Sequence, residues 1–168
     1  MTDLIVLAID PSKTVSRIAE HSNSWGWSPL IWDAMAIRYL DVPYYMALFL
    51  RHNNYEKLWA LCHDKTVKAE HRAVHLMTMD YKIIEQKDYK RAANDIRTFI
   101  SDFSMEQIVL NHLTAIADLF ESNPDHAAIG FHVTHSDNLF IKYCGQTGDR
   151  SVVKLDLDSC SVYRNVDR

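Results

Sequence analysis

His71 and His75 stand four residues apart, a spacing that puts two imidazoles on one helix face and suits metal ligation. Glu70 precedes the pair, so no general base stands between the histidines as it does in a metalloprotease helix, and no third ligand is marked. The simpler reading is two structural histidines, with a metal held by His71 and His75 as the alternative. A second constellation is His112-Leu113-Thr114 with His132-Val133-Thr134, where paired imidazoles can work as general base and general acid. A third is a row on the outward face of predicted strands: His132, Thr134, Lys154, Asp156 and Asp158. Paired carboxylates beside a histidine can bind a divalent cation, although a half-exposed sheet carries such a row as its solvated face. The fourth is aromatic. Trp25, Trp27 and Trp32 are three of the four tryptophans and fall within eight residues. Indoles bury much area at low entropy cost, so these three are the candidate partner-binding anchors, with burial in the core as the simpler reading. Gly26 lets the flanking rings diverge, and one of Trp25 and Trp27 is expected to stay partly exposed.

The two His-x-Thr triplets resemble the signature of two-histidine phosphoesterases. That resemblance covers six residues and implies His112, Thr114, His132 and Thr134 as the catalytic set of a phosphodiester hydrolase. In that family both triplets sit on strands far apart in sequence. Here they are 20 residues apart and the first falls in a predicted helix. A second resemblance is to tetratricopeptide repeats. Asn54-Tyr55-Glu56-Lys57-Leu58 and Asp88-Tyr89-Lys90-Arg91-Ala92 are alike and lie 34 residues apart, the period of that family, over roughly residues 39–103. Ala92 matches the small residue expected after the turn. Leu58, Met46, Asp80 and Ser104 depart from the pattern, and two ordinary helical hairpins explain the echo more simply. No glycine-rich phosphate loop or nucleophile elbow is present.

The elements that must position these residues centre on 66–103. Tyr89, Ala92, Ala93, Ile96, Phe99, Ile100 and Phe103 repeat at three and four, one stripe of a helix. Val67, Val74, Met77, Tyr81 and Ile84 read as a similar stripe, so the two are expected to pair as a hairpin broken at Gln86-Lys87-Asp88. Asp10-Pro11, Ser28-Pro29 and Asp41-Val42-Pro43 each read as a capped helix start. The expected helices run through Val15 to Ala19, through Leu30 to Tyr39, and from Tyr44 to Leu50. A short helix around Tyr55 to Cys62 follows, and Ser104 to Gln107 is a capping box opening a helix to Phe120. The run Leu4 to Ala8 fits helix or strand. After Pro124 the period becomes two: Ile129 to Val133, Phe140 to Cys144, and Val153 to Leu157.

These patterns predict an α+β chain in a single domain, residues 1–168. A helical body of antiparallel hairpins (1–122) would carry a C-terminal three-stranded antiparallel β-meander (127–164). The net charge of −4 disfavours nucleic-acid binding by bulk charge, and the scarcity of glycine and proline, four of each, disfavours a disordered chain. Three unpaired-looking cysteines, Cys62, Cys144 and Cys160, fit a reducing cytoplasm. No cofactor is implied. The favoured function is a non-catalytic protein–protein role, as an inhibitor or adaptor of the kind phages encode as accessory proteins, with a protein partner or a second copy. The phosphodiester hydrolase and a small-ligand or nucleotide-sequestering protein are the alternatives.

Overall fold

A computed structural model describes residues 3–12, 14–22, 27–42, 55–79, 82–105, 107–132, 141–143, 150–152 and 156–168. The chain opens with a hairpin, β1 (Asp3–Ile9) and β2 (Val15–Ser22). Helices α1 (Ser28–Leu40), α2 (Glu56–Ala60) and α3 (Ala69–Met77) follow. Then come β3 (Lys82–Glu85), a single 3₁₀ turn (Gln86–Asp88), α4 (Tyr89–Asp102) and α5 (Gln107–Ser122). Strand β4 (Ala128–His132), the pair β5 (Ile141–Tyr143) and β6 (Arg150–Val152), and short helices α6 (Leu157–Cys160) and α7 (Val162–Val166) complete it.

The architecture is α+β, but the principal sheet is not a C-terminal meander. It has four antiparallel strands in the order β2-β1-β4-β3, and only β4 comes from the expected C-terminal region. The helix expected from Asp10-Pro11 through Ala19 is the turn and second strand of a hairpin. Asp10 does cap, but it caps a reversal of the chain: its Oδ1 accepts from Thr14 N at 2.8 Å and Ser12 Oγ at 2.7 Å. The paired helical stripes of 66–103 are likewise replaced at one point. Helix α3 ends at Met77, where Thr78 Oγ1 donates to His75 O at 2.6 Å, and Ile83 and Ile84 enter the sheet as β3. Gln86-Lys87-Asp88 therefore joins a strand to a helix, which removes the tetratricopeptide-like hairpin.

Each side of the sheet is covered. Leu4, Val6, Ile84, Ile129 and Phe131 face the main core with the helices, whereas Leu7, Ile9, Ile83 and Ala128 form a smaller cluster with Leu157 and Cys160 beside it. A register shift between Val6 and Leu7 leaves Ile18 unpaired on β2 and marks a bulge. Helix α4 buries the predicted stripe, with Ala92, Ala93, Ile96 and Phe99 fully enclosed.

In the C-terminal region, among the described residues, β5 pairs with β6 alone, as a separate two-stranded sheet. Val153 to Leu155 lie outside the described residues. The expected strand does not continue through Asp156 and Asp158. Asp156 is the cap of α6, its carboxylate accepting from Asp158 N at 3.1 Å and Ser159 Oγ at 2.9 Å. An Asp-x-Asp-Ser run satisfies the free amides of a first helical turn, and this local bonding outweighs the alternation. Asp41 closes α1 in the left-handed conformation, φ 51°, and the predicted helix Tyr44 to Leu50 lies outside the described residues. Among the described residues no helix is long and apolar enough to cross a membrane.

Candidate functional site

The chemistry-bearing side chains gather on α3, which is buried from His71 to Met77 because α1, α4 and α7 pack around it. The i, i+4 spacing does put His71 and His75 on one helix, yet their environments separate them. The His71 ring is fully buried. Its Nε2 lies 2.9 Å from Asp102 Oδ2 at the end of α4, and its Nδ1 lies 2.6 Å from the Tyr39 hydroxyl at the end of α1. Lys68 Nζ approaches the same Asp102 oxygen at 2.7 Å. Lys68, then His71, holds the Asp102 carboxyl below its ordinary range, while burial pushes the His71 imidazole below its own. The consistent protonation pattern is a neutral ring, with Nε2–H donating to carboxylate and Nδ1 accepting from the phenol. Phe99 and Phe103 enclose the ring at 5.4 and 4.8 Å between centroids. Asp102, His71 and Tyr39 thus form a carboxylate–imidazole–phenol chain. In position, it ties together the ends of three helices.

His75 is enclosed differently. Its Nδ1 is 3.3 Å from Cys62 Sγ, and its Nε2 is buried without a hydrogen-bond partner. Burial pushes the Cys62 thiol up to about 12 and the His75 imidazole down to about 3. Both groups are uncharged at neutral pH, so the thiol lacks the ionised form a nucleophile or metal ligand needs. Both ring nitrogens of His71 and Nδ1 of His75 thus meet protein groups, and these groups differ. Among the described residues no three His, Cys, Asp or Glu side chains converge as a metal site.

The His-x-Thr residues are placed apart by type of element. His112 and exposed Thr114 lie on α5, and His132 ends β4 opposite Ile5; Thr134 lies outside the described residues. The family pattern requires both triplets on strands, and the first is helical here. Half-buried His112 instead acts on His21 of β2, whose imidazole is pushed down by burial and then by His112. Of the outward row, Thr134 and Lys154 lie outside the described residues, and Asp156 and Asp158 belong to the α6 turn.

The tryptophans divide as well. Trp27 is fully buried and packs on Phe131 at 5.4 Å, so its surface is enclosed within this chain and is no exposed anchor. Trp25 lies outside the described residues. Half-buried Trp32 donates from Nε1 to Thr78 Oγ1 at 2.8 Å and meets Trp59 edge-on at 5.0 Å. Tyr55, 38% exposed, continues this aromatic file 6.4 Å from Trp59.

Two groups escaped the sequence reading. Asp95 is 8% exposed on α4 and accepts from the Tyr163 hydroxyl at 2.8 Å. A signal was available: Asp95 sits on the apolar stripe with Ala92, Ile96 and Phe99, where a carboxyl needs a buried partner. Glu85 is the other. Arg164 first, aided by Ser161 and Lys87, holds its carboxyl down at about 2. Beside it, past its partner Arg164, lies a cleft of about 370 Å³ lined by Lys87, Asp88, Asp158, Tyr163, Arg164, Asp167 and Arg168. Compared with known proteins, the chain matches no family model, no curated protein and no solved structure.

Proposed function

We propose that this chain binds another protein and acts as a non-catalytic inhibitor or adaptor in the cytoplasm. The observation that carries the reading is the outer stripe of α1. Half-buried Leu30 and Ala34, which also touch the core, lead at spacings of four and three to Ile37, which is 54% exposed. The inner side of the same helix is apolar too, with Ile31, Met35 and Ala36 buried. Only Asp33 and Arg38 carry charge across its thirteen residues. A helix apolar on both sides is suited to burial on both sides, and a partner's apolar groove would complete the outer one. The inward, neutral state of Cys62 and His75 supports a role without catalysis.

The test compares Ile37→Asp with the parent chain as bait in the native host. The reading expects one protein to be retained by the parent and lost by the variant, with equal melting temperatures. Equal retention by both, or no specific retention by the parent, overturns it. Sedimentation of the purified chain identifies the case in which the partner is a second copy.

The cleft beside Glu85 supports a second reading, a small charged ligand such as a nucleotide. Its volume falls within the usual range for small-molecule sites, and Lys87, Arg164 and the Tyr163 ring suit a phosphate and a base. Asp88, Asp158 and Asp167 oppose that, because each of these carboxylates competes for the same cations. A thermal-shift series against nucleotides decides between the two readings.

A further inference from the structure

We propose that residues 157–168 form a proton-gated strap across α3, α4 and the edge of β3, with Asp95 as its latch. The inference is independent of the α1 contact. The strap consists of two helices of four and five residues, too short to persist without a seat. Val162, Tyr163 and Val166 are buried in that seat, and Ser161 bridges to Ile83 at the outer edge of β3. Around these anchors run polar tethers. Arg164 Nε and Ser161 Oγ donate to Glu85 Oε1 at 3.0 and 2.9 Å. Arg91 grips both oxygens of Asp167 at 2.8 and 2.7 Å, and Arg72 donates to Val166 O at 3.2 Å. Exposed ion pairs of this kind contribute little individually. The tether that differs is the buried one, Tyr163 Oη to Asp95 Oδ2 at 2.8 Å.

Charged groups face Asp95 from every element around it. Arg91 on its own helix and the Tyr163 hydroxyl favour the carboxylate, whereas Glu70 of α3 and Asp167 of the strap disfavour it. Burial beneath the strap, with Glu70 and Asp167 acting in the same sense, outweighs Tyr163 and Arg91, and the carboxyl is pushed up to about 6. With the strap lifted, Asp95 faces water and returns towards the ordinary value near 4. A group whose docked value is raised favours docking below its free value, and that preference is lost as pH rises through the docked value. Acids held low while the strap is docked do not interfere above about pH 5, where they are ionised whether it is docked or lifted. Glu85, Asp156 and Asp167 are all held down by their hydrogen bonds. Asp88 is pushed up by burial and acts in the same sense as Asp95. Lifting uncovers the edge of β3 and the apolar seat of Val162, Tyr163 and Val166, a surface that can pair with another strand.

Hydrogen exchange of the full chain tests this, with rates corrected for intrinsic pH dependence and compared with core amides of α4. The opening constant of amides 162–167 is expected to rise about tenfold from about pH 5 to about pH 7.5. Asp95→Asn should keep the strap protected at both values. Unchanged protection of the parent chain across this range, or an undiminished rise in Asp95→Asn, overturns the proposal. Should Asp95→Asn fail to fold, Tyr163→Phe serves instead. It withdraws the hydrogen bond that stabilises the carboxylate, and is expected to open the strap further at pH 7.5; exchange equal to the parent's overturns the latch.

Discussion

Asp95 and Asp102 lie two turns apart on α4, and each meets an aromatic side chain, yet their carboxyls are shifted in opposite directions. Asp102, 24% exposed, sits between Lys68 and His71 and is held low. Asp95, beneath the strap, has Arg91 and Tyr163 beside it and is still pushed up, because burial outweighs both. A partner's charge sets the protonation state where water still reaches the carboxyl, and dehydration sets it where water does not. Acid consequently acts on the two regions in opposite ways: it tightens the strap through Asp95 and loosens the helical layer through its buried histidines.

The largest expected effect removes the packing common to both regions. Phe99 lies between the two carboxylates on the buried stripe, against His71 and Phe103. Phe99→Ala should cost about 3–5 kcal/mol in denaturant unfolding. A loss below about 1 kcal/mol would mean that α4 does not organise both sites.

The second effect is the acid response of the helical layer. His75 is pushed down to about 3 by burial, so the unfolded chain binds a proton near its ordinary value of about 6.5 while the folded chain does not. Stability should therefore fall as pH drops below about 6.5. Between pH 7.5 and pH 5 the loss assigned to His75 is about 2 kcal/mol. His75→Leu should flatten the profile by that amount, and with Nε2 unpartnered the replacement should be nearly neutral at pH 7.5. An equal slope in the variant would remove His75 from the comparison.

Tyr39→Phe sharpens the Asp102 side. It removes one hydrogen bond and leaves a buried ring nitrogen without its donor, for an expected loss of about 1–2 kcal/mol at neutral pH. Smallest in stability is Ile37→Asp on exposed α1, expected within about 0.5 kcal/mol of the parent in the same assay. A larger loss would assign Ile37 to the chain's own packing and weaken the partner reading.

Helix α4 was legible because it is amphipathic: one stripe is buried and the remaining positions face water. Three strands were not. Leu4 to Ile9 is buried on both faces, which erases the alternation that identifies a strand. Val15, Ile18 and Ala19 imitate helical spacing because a bulge at Ile18 breaks the period of two. Only four residues make β3, so its two isoleucines merged into the preceding helical stripe. The histidine pair was visible as a spacing, but its meaning was not. Tyr39 and Asp102 reach His71 from 32 and 31 residues away, through packing that no local pattern records.

The place of β1 in the sheet has a consequence for how the protein is made. Its outer neighbour, β2, follows immediately in the chain, whereas its inner neighbour is β4, Ala128–His132. During synthesis the first hairpin can form as soon as it leaves the ribosome, and its inner edge then stays unpaired until the 105 residues between Ser22 and Ala128 have been translated. The nascent chain carries an open apolar strand edge throughout that interval, a template for pairing with other chains. Closure of the sheet, a contact of very long sequence separation, is the step expected to limit the folding rate and to create the demand for a chaperone.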